Sequence, residues 1–422
     1  MAHYKMLDGN MAAVEAIKMA KVKVISAYPI TPQSPIAEKL SEAVAEGSLD
    51  AAYIRVESEH TAMSCAVGAA LTGVRTATAT ASVGLALMHE VLNVASGVRV
   101  PLVMPVVNRS LASPWSLWCD HQDSMAERDS GWLQFYCENV QDVFDTMLTT
   151  YRIAEDARVQ TPAMVCLDGF FLSHSMQKIL IPEQSEVDRF IGPYTPHNFV
   201  LDPADPIMIN NLTGSDENEE MRYQQSIGFE NAGKVIDEVF SAFEKSFGRR
   251  KSSVEGYRTE DAETVIVTMG SMSGTAKYVT DFLRDQGQKV GAVKISVFRP
   301  FPAEKLRQVI GDIPRIAVLD RTAGLGAQGS PLWQEVRNAL VCEGCSGHSN
   351  DKLHDTSSRS SNNGPAARLI KNYIGGLAGR DISTMTIEKV FEDIRQGEEM
   401  TRPIWIDCAD NAMEIRQVKR ND

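Results

Sequence analysis

Four short segments of this sequence combine residue types that do chemistry with a spacing that can hold them in place. Tyr28-Pro29-Ile30-Thr31-Pro32 presents the short hydroxyl of Thr31 between prolines that restrict φ. Val56-Glu57-Ser58-Glu59-His60 sets two carboxylates around a serine, a pattern suited to hydrogen bonding and proton handling. Thr78-Ala79-Thr80-Ala81-Ser82-Val83-Gly84 offers hydroxyls and a glycine to a polar ligand, without the spacing of GxGxxG or the lysine of a P-loop. Asn108-Arg109-Ser110 carries a guanidinium, which can pair with a carboxylate through two parallel hydrogen bonds that lysine cannot copy.

Plainer readings exist for each segment. Thr31 also reads as the N-cap of a helix that starts at Pro32, and Glu59 as a first-turn charge favoured by the helix dipole. Asp120, His121 and Asp123 are metal ligands by type, but a loop hydrogen-bond network accounts for them more simply, and no metal is assigned.

Position unites the four segments. Residues 9–20, 35–46 and 60–72 have helical spacing, while 22–27, 53–56, 75–80 and the apolar run 100–107 read as strands. Every candidate segment therefore falls where a strand gives way to a loop, the edge at which open parallel sheets bind ligands. A helix at 137–156 and a strand at 163–168 continue the alternation, which predicts an α/β fold with parallel sheets. From about 171 to 225 the prolines Pro182, Pro193, Pro196, Pro203 and Pro206 suggest a long extended crossing segment. Helical spacing returns at 226–245, and a second α/β series begins at 264. The expected division is a first domain over 1–250, a second over 251–395 with a polar insertion at 342–364, and a tail over 396–422.

Composition narrows the partners. The 422 residues hold 42 Lys plus Arg against 55 Asp plus Glu, a net charge of −13, which argues against nucleic acid or an anionic membrane. The start lacks a secretory pattern and no long uncharged apolar run occurs, so a cytoplasmic chain is expected. Seven cysteines, an odd number and mostly isolated, fit free thiols in a reducing compartment. Cys342-x-x-Cys345 is the one close pair and, without a second pair, is poor evidence for zinc or a cluster.

Taken together, the segments resemble the alpha subunit of the 2-oxoacid:ferredoxin oxidoreductases, thiamine-diphosphate-dependent enzymes acting on pyruvate, 2-oxoisovalerate or phenylglyoxylate. The resemblance runs in order through YPITPQSP, RVESEHTAMSCAVGAALTGVRTATATAS, NRSLASPWSLWCDHQDSMAERDSGWLQFYCEN, AMVCLDGF, YRTEDAETVIVTMGSMSGT, VFRPFP and GGLAGRDI. It implies a pyrimidine-type thiamine-diphosphate-binding fold followed by a transketolase C-terminal-like domain. Glu59 then corresponds to the carboxylate that hydrogen-bonds the aminopyrimidine ring and favours the tautomer that generates the nucleophile. Thr31 and Arg109 match residues that orient the 2-oxoacid, Arg109 through its carboxylate. Pro29, Ile30 and Ser82 join Glu59 as cofactor-binding positions.

The resemblance also implies partners. A beta subunit would grip the diphosphate and magnesium, in keeping with the lack here of a GDG motif followed by a metal-holding asparagine. Gamma and delta subunits would complete the complex and carry the iron-sulfur clusters, since this chain has no CxxCxxCxxxCP run. Oxidative decarboxylation would yield acyl-coenzyme A and carbon dioxide, with electrons passing to ferredoxin or an NAD-reducing subunit. Gly270-Ser271-Met272-Ser273-Gly274-Thr275 would lie near coenzyme A or a subunit interface, or be a helix entry with no ligand. The alternative function is a non-catalytic assembly subunit, against which the joint presence of Thr31, Glu59 and Arg109 speaks.

Overall fold

The computed structural model describes residues 2–341, 368–397 and 402–408. The polar insertion at 342–364, with Cys342 and Cys345, lies outside the described residues, as does most of the tail.

Strand β1 (His3–Leu7) leads into helix α1 (Gly9–Met19), where Asp8 caps the helix by accepting from Met11 N at 2.8 Å. Next come β2 (Val24–Ala27), α2 (Ser34–Ala45), β3 (Ala52–Arg55), α3 (Glu59–Ala70), β4 (Thr76–Ala77), α4 (Ser82–Leu87) and α5 (His89–Gly97). The series continues through β5 (Val103–Asn108), α6 (Gln122–Ala126), β6 (Leu133–Tyr136), α7 (Val140–Ala154) and β7 (Ala163–Asp168). These strands pair in parallel as β3-β2-β4 and β5-β7-β6, and a bridge between Thr80 and Val106 joins the two sets. Every residue of β5, β6 and β7 is buried, the mark of a sheet covered on both faces. Helices α1, α2 and α7 pack on one face, and α3 and α5 on the other.

The crossing segment is more ordered than its prolines suggest. Strand β8 (Gln177–Ile181) pairs antiparallel with β1, and α8 (Gln184–Ile191) begins at a reciprocal Glu183/Glu186 capping box. Helix α9 (Ser215–Phe247) starts at Ser215, well before residue 226, and stops at Gly248, whose φ of +68° a side chain would disfavour. Its early turns were hidden because they bury nothing before Gly228 and so show no apolar stripe.

The second series comprises β9 (Val254–Tyr257), β10 (Thr264–Met269), α10 (Met272–Asp285), β11 (Val290–Ile295), β12 (Val297–Arg299), α11 (Ala303–Ile310), β13 (Arg315–Asp320), α12 (Pro331–Val341), β14 (Leu369–Ile374), α13 (Thr384–Arg395) and β15 (Ile404–Trp405). The sheet order is β15-β14-β13-β10-β11-β9, parallel except for β9. The α/β class with parallel sheets is thus the one the alternation predicts. Strand β12 leaves this sheet and pairs antiparallel with β6, setting Val297 opposite Phe135. One apolar core accordingly runs from Leu92 and Trp132 through Phe298 to Val265 and Val336. Among the described residues no helix is long and apolar enough to cross a membrane.

Candidate active site

Glu59 is the first residue of α3, which Ser58 caps by accepting from Thr61 N at 3.2 Å. The cap leaves the Glu59 side chain free of that duty, and among the described residues its carboxylate has no hydrogen-bond partner although it is only 7% exposed. It rests against Gly84, where a Cβ would stand 2.6 Å from Glu59 Oε1 and 2.6 Å from Thr80 Oγ1. The buried hydroxyls of Thr78 and Thr80 likewise lack partners. A buried carboxylate beside unpaired hydroxyls and a glycine floor is a cradle for a flat polar ligand rather than a finished structural contact.

Thr31 sits on an exposed turn held from beneath, with Pro29 exposed and Ile30 half-buried. Gln33 is buried; its side chain accepts from Ile30 N at 3.3 Å, and Asn10 Nδ2 donates to Pro32 O at 3.0 Å. Thr31 is not an N-cap, because α2 begins only at Ser34 after a cis Thr31–Pro32 bond. Arg109, at the end of β5, reaches this turn: Nη1 donates to Thr31 O at 2.9 Å, and Nε to Ser116 O at 3.1 Å. The fork is therefore partly used, and Nη2 remains without a partner among the described residues. Burial lowers the guanidinium from its ordinary value, with Asp123 pulling the other way.

Ser82 is fully buried with φ of +50°, a strained setting worth about 1–3 kcal/mol for a non-glycine residue. Its hydroxyl donates to Ser110 O at 2.5 Å and its N–H to Asp123 Oδ2 at 2.9 Å. Asp123 Oδ2 also accepts from Arg109 N at 3.0 Å, while Oδ1 accepts from Asn108 Nδ2 and Ser124 N, each at 2.8 Å. Burial pushes this carboxyl up to about 6, against the pull of its donors. Glu59, Ser82, Arg109 and Thr31 thus share one sheet edge, with Ser82 and Asp123 bridging the Glu59 cradle to the Arg109 turn. Only side-chain type pointed to Asp123, and nothing in the sequence distinguished its role from that of Asp120.

The neighbouring polar cluster is an ion-pair network between the two α/β units. His121 Nε2 lies 2.7 Å from Asp168 Oδ1, and Arg321 Nη1 donates to Asp168 Oδ2 at 2.8 Å and to Cys119 Sγ at 3.8 Å. Cys119, His121 and Asp168 are close enough to share a cation, but Arg321 already supplies the positive charge to two of them. Burial alone would raise Asp168; His121 and Arg321 outweigh it and hold the carboxyl below the usual range. Asp120 accepts from Gln122 N at 3.0 Å and from Ala378 N at 3.1 Å. Within the Gly270–Thr275 turn, Ser271 N donates to Asp168 Oδ2 at 3.1 Å, so that amide is not available to an anion. A cleft of about 380 Å³ opens beside it, lined in part by Asn139, Gln177, Thr275 and Arg321.

Residues 15–241 match the protein family described as pyruvate flavodoxin/ferredoxin oxidoreductase, thiamine diP-bdg, and residues 262–352 match pyruvate:ferredoxin oxidoreductase core domain II. The chain is 45% identical over 388 residues to a pyruvate synthase subunit PorA of Pyrococcus furiosus, covering 92% of each. It is 44% identical to PorA of Methanocaldococcus jannaschii, covering 96% of this chain and 98% of that one. A ketoisovalerate oxidoreductase subunit VorA of Pyrococcus abyssi is 42% identical, with 93% of each covered. In fold, a 2-oxoglutarate:ferredoxin oxidoreductase from Magnetococcus marinus superposes with a TM-score of 0.69 at 19% identity; 93% of this chain aligns, spanning 65% of that one. A split-gene transketolase gives a TM-score of 0.53 at 12% identity, covering 93% of this chain and 99% of that one.

Proposed function

The chain belongs to the pyruvate flavodoxin/ferredoxin oxidoreductase family, as an alpha subunit of the 2-oxoacid:ferredoxin oxidoreductases, and on that premise we propose that it forms the pyrimidine-binding half of a thiamine diphosphate site that decarboxylates pyruvate. The observation that carries this reading is the Glu59 carboxylate, buried against Gly84 with no protein partner among the described residues. When bound, the cofactor supplies the nucleophilic carbon for 2-oxoacid decarboxylation. Glu59 would accept a hydrogen bond from the aminopyrimidine ring and so set its tautomer; a buried carboxylate with no partner among the described residues fits that task, and Gly84 lets it pack against the start of α4. Pro29 and Ile30 complete the pocket wall, and Ser82, fully buried, supports it from behind.

Arg109 and Thr31 orient the substrate. With Nε and Nη1 anchored on the carbonyls of Ser116 and Thr31, the guanidinium is fixed before substrate arrives, and Nη2 donates to the 2-oxoacid carboxylate. The Thr31 hydroxyl, on the same turn, addresses the 2-oxo group. A small acid such as pyruvate is favoured by the likeness to pyruvate synthase subunits. Of the two nearby tryptophans, Trp115 is 78% exposed and Trp118 is tilted against Phe170 with ring centroids 4.5 Å apart.

In this reading the remaining parts come from partner subunits in the cytoplasm: a beta subunit with the diphosphate and magnesium contacts, and gamma and delta subunits with iron-sulfur clusters that pass electrons to ferredoxin. Coenzyme A accepts the acyl group. The test is a panel of 2-oxoacids offered to the assembled complex, with Arg109→Lys in parallel. Pyruvate should give the highest kcat/KM and Arg109→Lys should raise its KM; equal use of branched and aryl acids, or an unmoved KM, would contradict the assignment.

A further inference from the structure

We infer that Asp123 is a positioning residue for the 2-oxoacid site, its carboxylate locking the backbone that carries Arg109 to the backbone that carries Ser82. The inference rests on the proposed substrate role of Arg109 and adds to it a residue that does not touch substrate. Asp123 is 1% exposed and meets four donors: Ser82 N at 2.9 Å, Arg109 N at 3.0 Å, and Asn108 Nδ2 and Ser124 N at 2.8 Å each. Only an ionised carboxylate offers acceptors on both oxygens and no donor, so this convergence selects Asp over Asn.

What these contacts hold is informative. Ser82 has a φ of +50°, a conformation that persists only when its surroundings over-determine it. Two fixings are present: the hydroxyl bond to Ser110 O and the N–H bond to Asp123. Ser110 directly follows Arg109, so the hydroxyl bond runs from the segment that opens α4 to the segment that carries the guanidinium, and Asp123 on α6 joins the same two segments by accepting from both Ser82 N and Arg109 N. Asn108 Nδ2 extends the lock by also donating to Ser124 Oγ at 2.9 Å, and that hydroxyl lies 2.8 Å from Tyr136 OH on β6. The spacing between the Glu59 cradle and the Arg109 guanidinium is therefore held by one buried carboxylate together with the Ser82–Ser110 bond.

Asp123→Asn tests this in the assembled enzyme. The new amide keeps one oxygen for the N–H groups of Ser82 and Arg109 but turns an NH₂ toward the donors of Asn108 and Ser124. The expected result is a rise in KM for the 2-oxoacid of about tenfold, the cost of one lost buried hydrogen bond, with kcat changed far less. Asn108 Oδ1 is buried without a partner among the described residues, so the amide at position 108 has an acceptor unused by them. The double variant Asn108→Asp/Asp123→Asn moves the carboxylate to the other side of the same hydrogen bond and should recover most of the KM; the rise in KM at nearly constant kcat is the readout that a merely structural role would not give. An unchanged KM in Asp123→Asn, or no recovery in the double variant, overturns the inference. Arg109→Lys in parallel separates the two ideas: if its KM rises while that of Asp123→Asn does not, only the Asp123 role fails. If its KM is unmoved, the substrate role of Arg109 fails and the inference falls with it.

Discussion

Gly84→Ala should separate activity from stability. A methyl at this position would stand 2.6 Å from Glu59 Oε1, whereas ordinary contact begins at 3.4 Å, so the carboxylate must retreat by roughly 0.8 Å. The same methyl would meet the buried, β-branched Thr80 at 2.6 Å from Oγ1, so the gain of about 1 kcal/mol in helix propensity within α4 is offset by an overpacking cost of about 1–3 kcal/mol. For the proposed chemistry the retreat is expensive, since a misplacement approaching 1 Å at a reacting group lowers rate by about ten- to a hundredfold. The assay is 2-oxoacid-dependent reduction of a one-electron acceptor by the assembled complex, beside thermal unfolding of the same preparation. A melting temperature lowered by no more than a few degrees, with kcat/KM down by about one to two orders of magnitude, is expected. Full activity in Gly84→Ala would refute the idea that the carboxylate works from its observed place.

Two further predictions concern the charges that frame the site. Arg321→Met removes the guanidinium from a pair in which both side chains are at most 2% exposed, leaving Asp168 to His121 and Ser271 alone; up to about 3–5 kcal/mol of stability should be lost in denaturant unfolding, and an unchanged midpoint would contradict the clamp. Burial pushes Asp123 and Asp320 both up to about 6. A carboxyl raised above its unfolded value contributes stability that is fully present below about pH 4 and is lost as pH rises through about 6, up to about 3 kcal/mol for each. Asp320→Asn should therefore flatten the fall in stability between about pH 4 and pH 7, and a slope identical to that of the wild type would count against the burial argument.

Much of the site-bearing edge was legible because parallel strands buried on both faces leave continuous apolar runs. Residues 163–168 are such a run and match β7 throughout, and the turns after β2 and β5 follow from where the runs stop. What escaped was non-local or polar. Strand β12 reads as a continuation of β11, and nothing in three residues announces that Val297 pairs with Phe135 in the other sheet. Pairing of β1 with β8 joins segments far apart in the chain, and the prolines around β8 suggest one extended crossing segment where a strand and a helix form before the irregular arm after Gly192. Asp123 and Asp168 are ordinary aspartates by sequence; their weight comes from donors delivered by distant elements, Arg321 and Ser271 among them.

The central claim is that Glu59 serves a cofactor and not the fold. Glu59→Gln, purified in the assembled complex and assayed for 2-oxoacid-dependent electron transfer, tests it most directly. Loss of turnover by about 10²–10⁴-fold, with assembly and melting temperature preserved, is the predicted result. Normal turnover in that variant would contradict it.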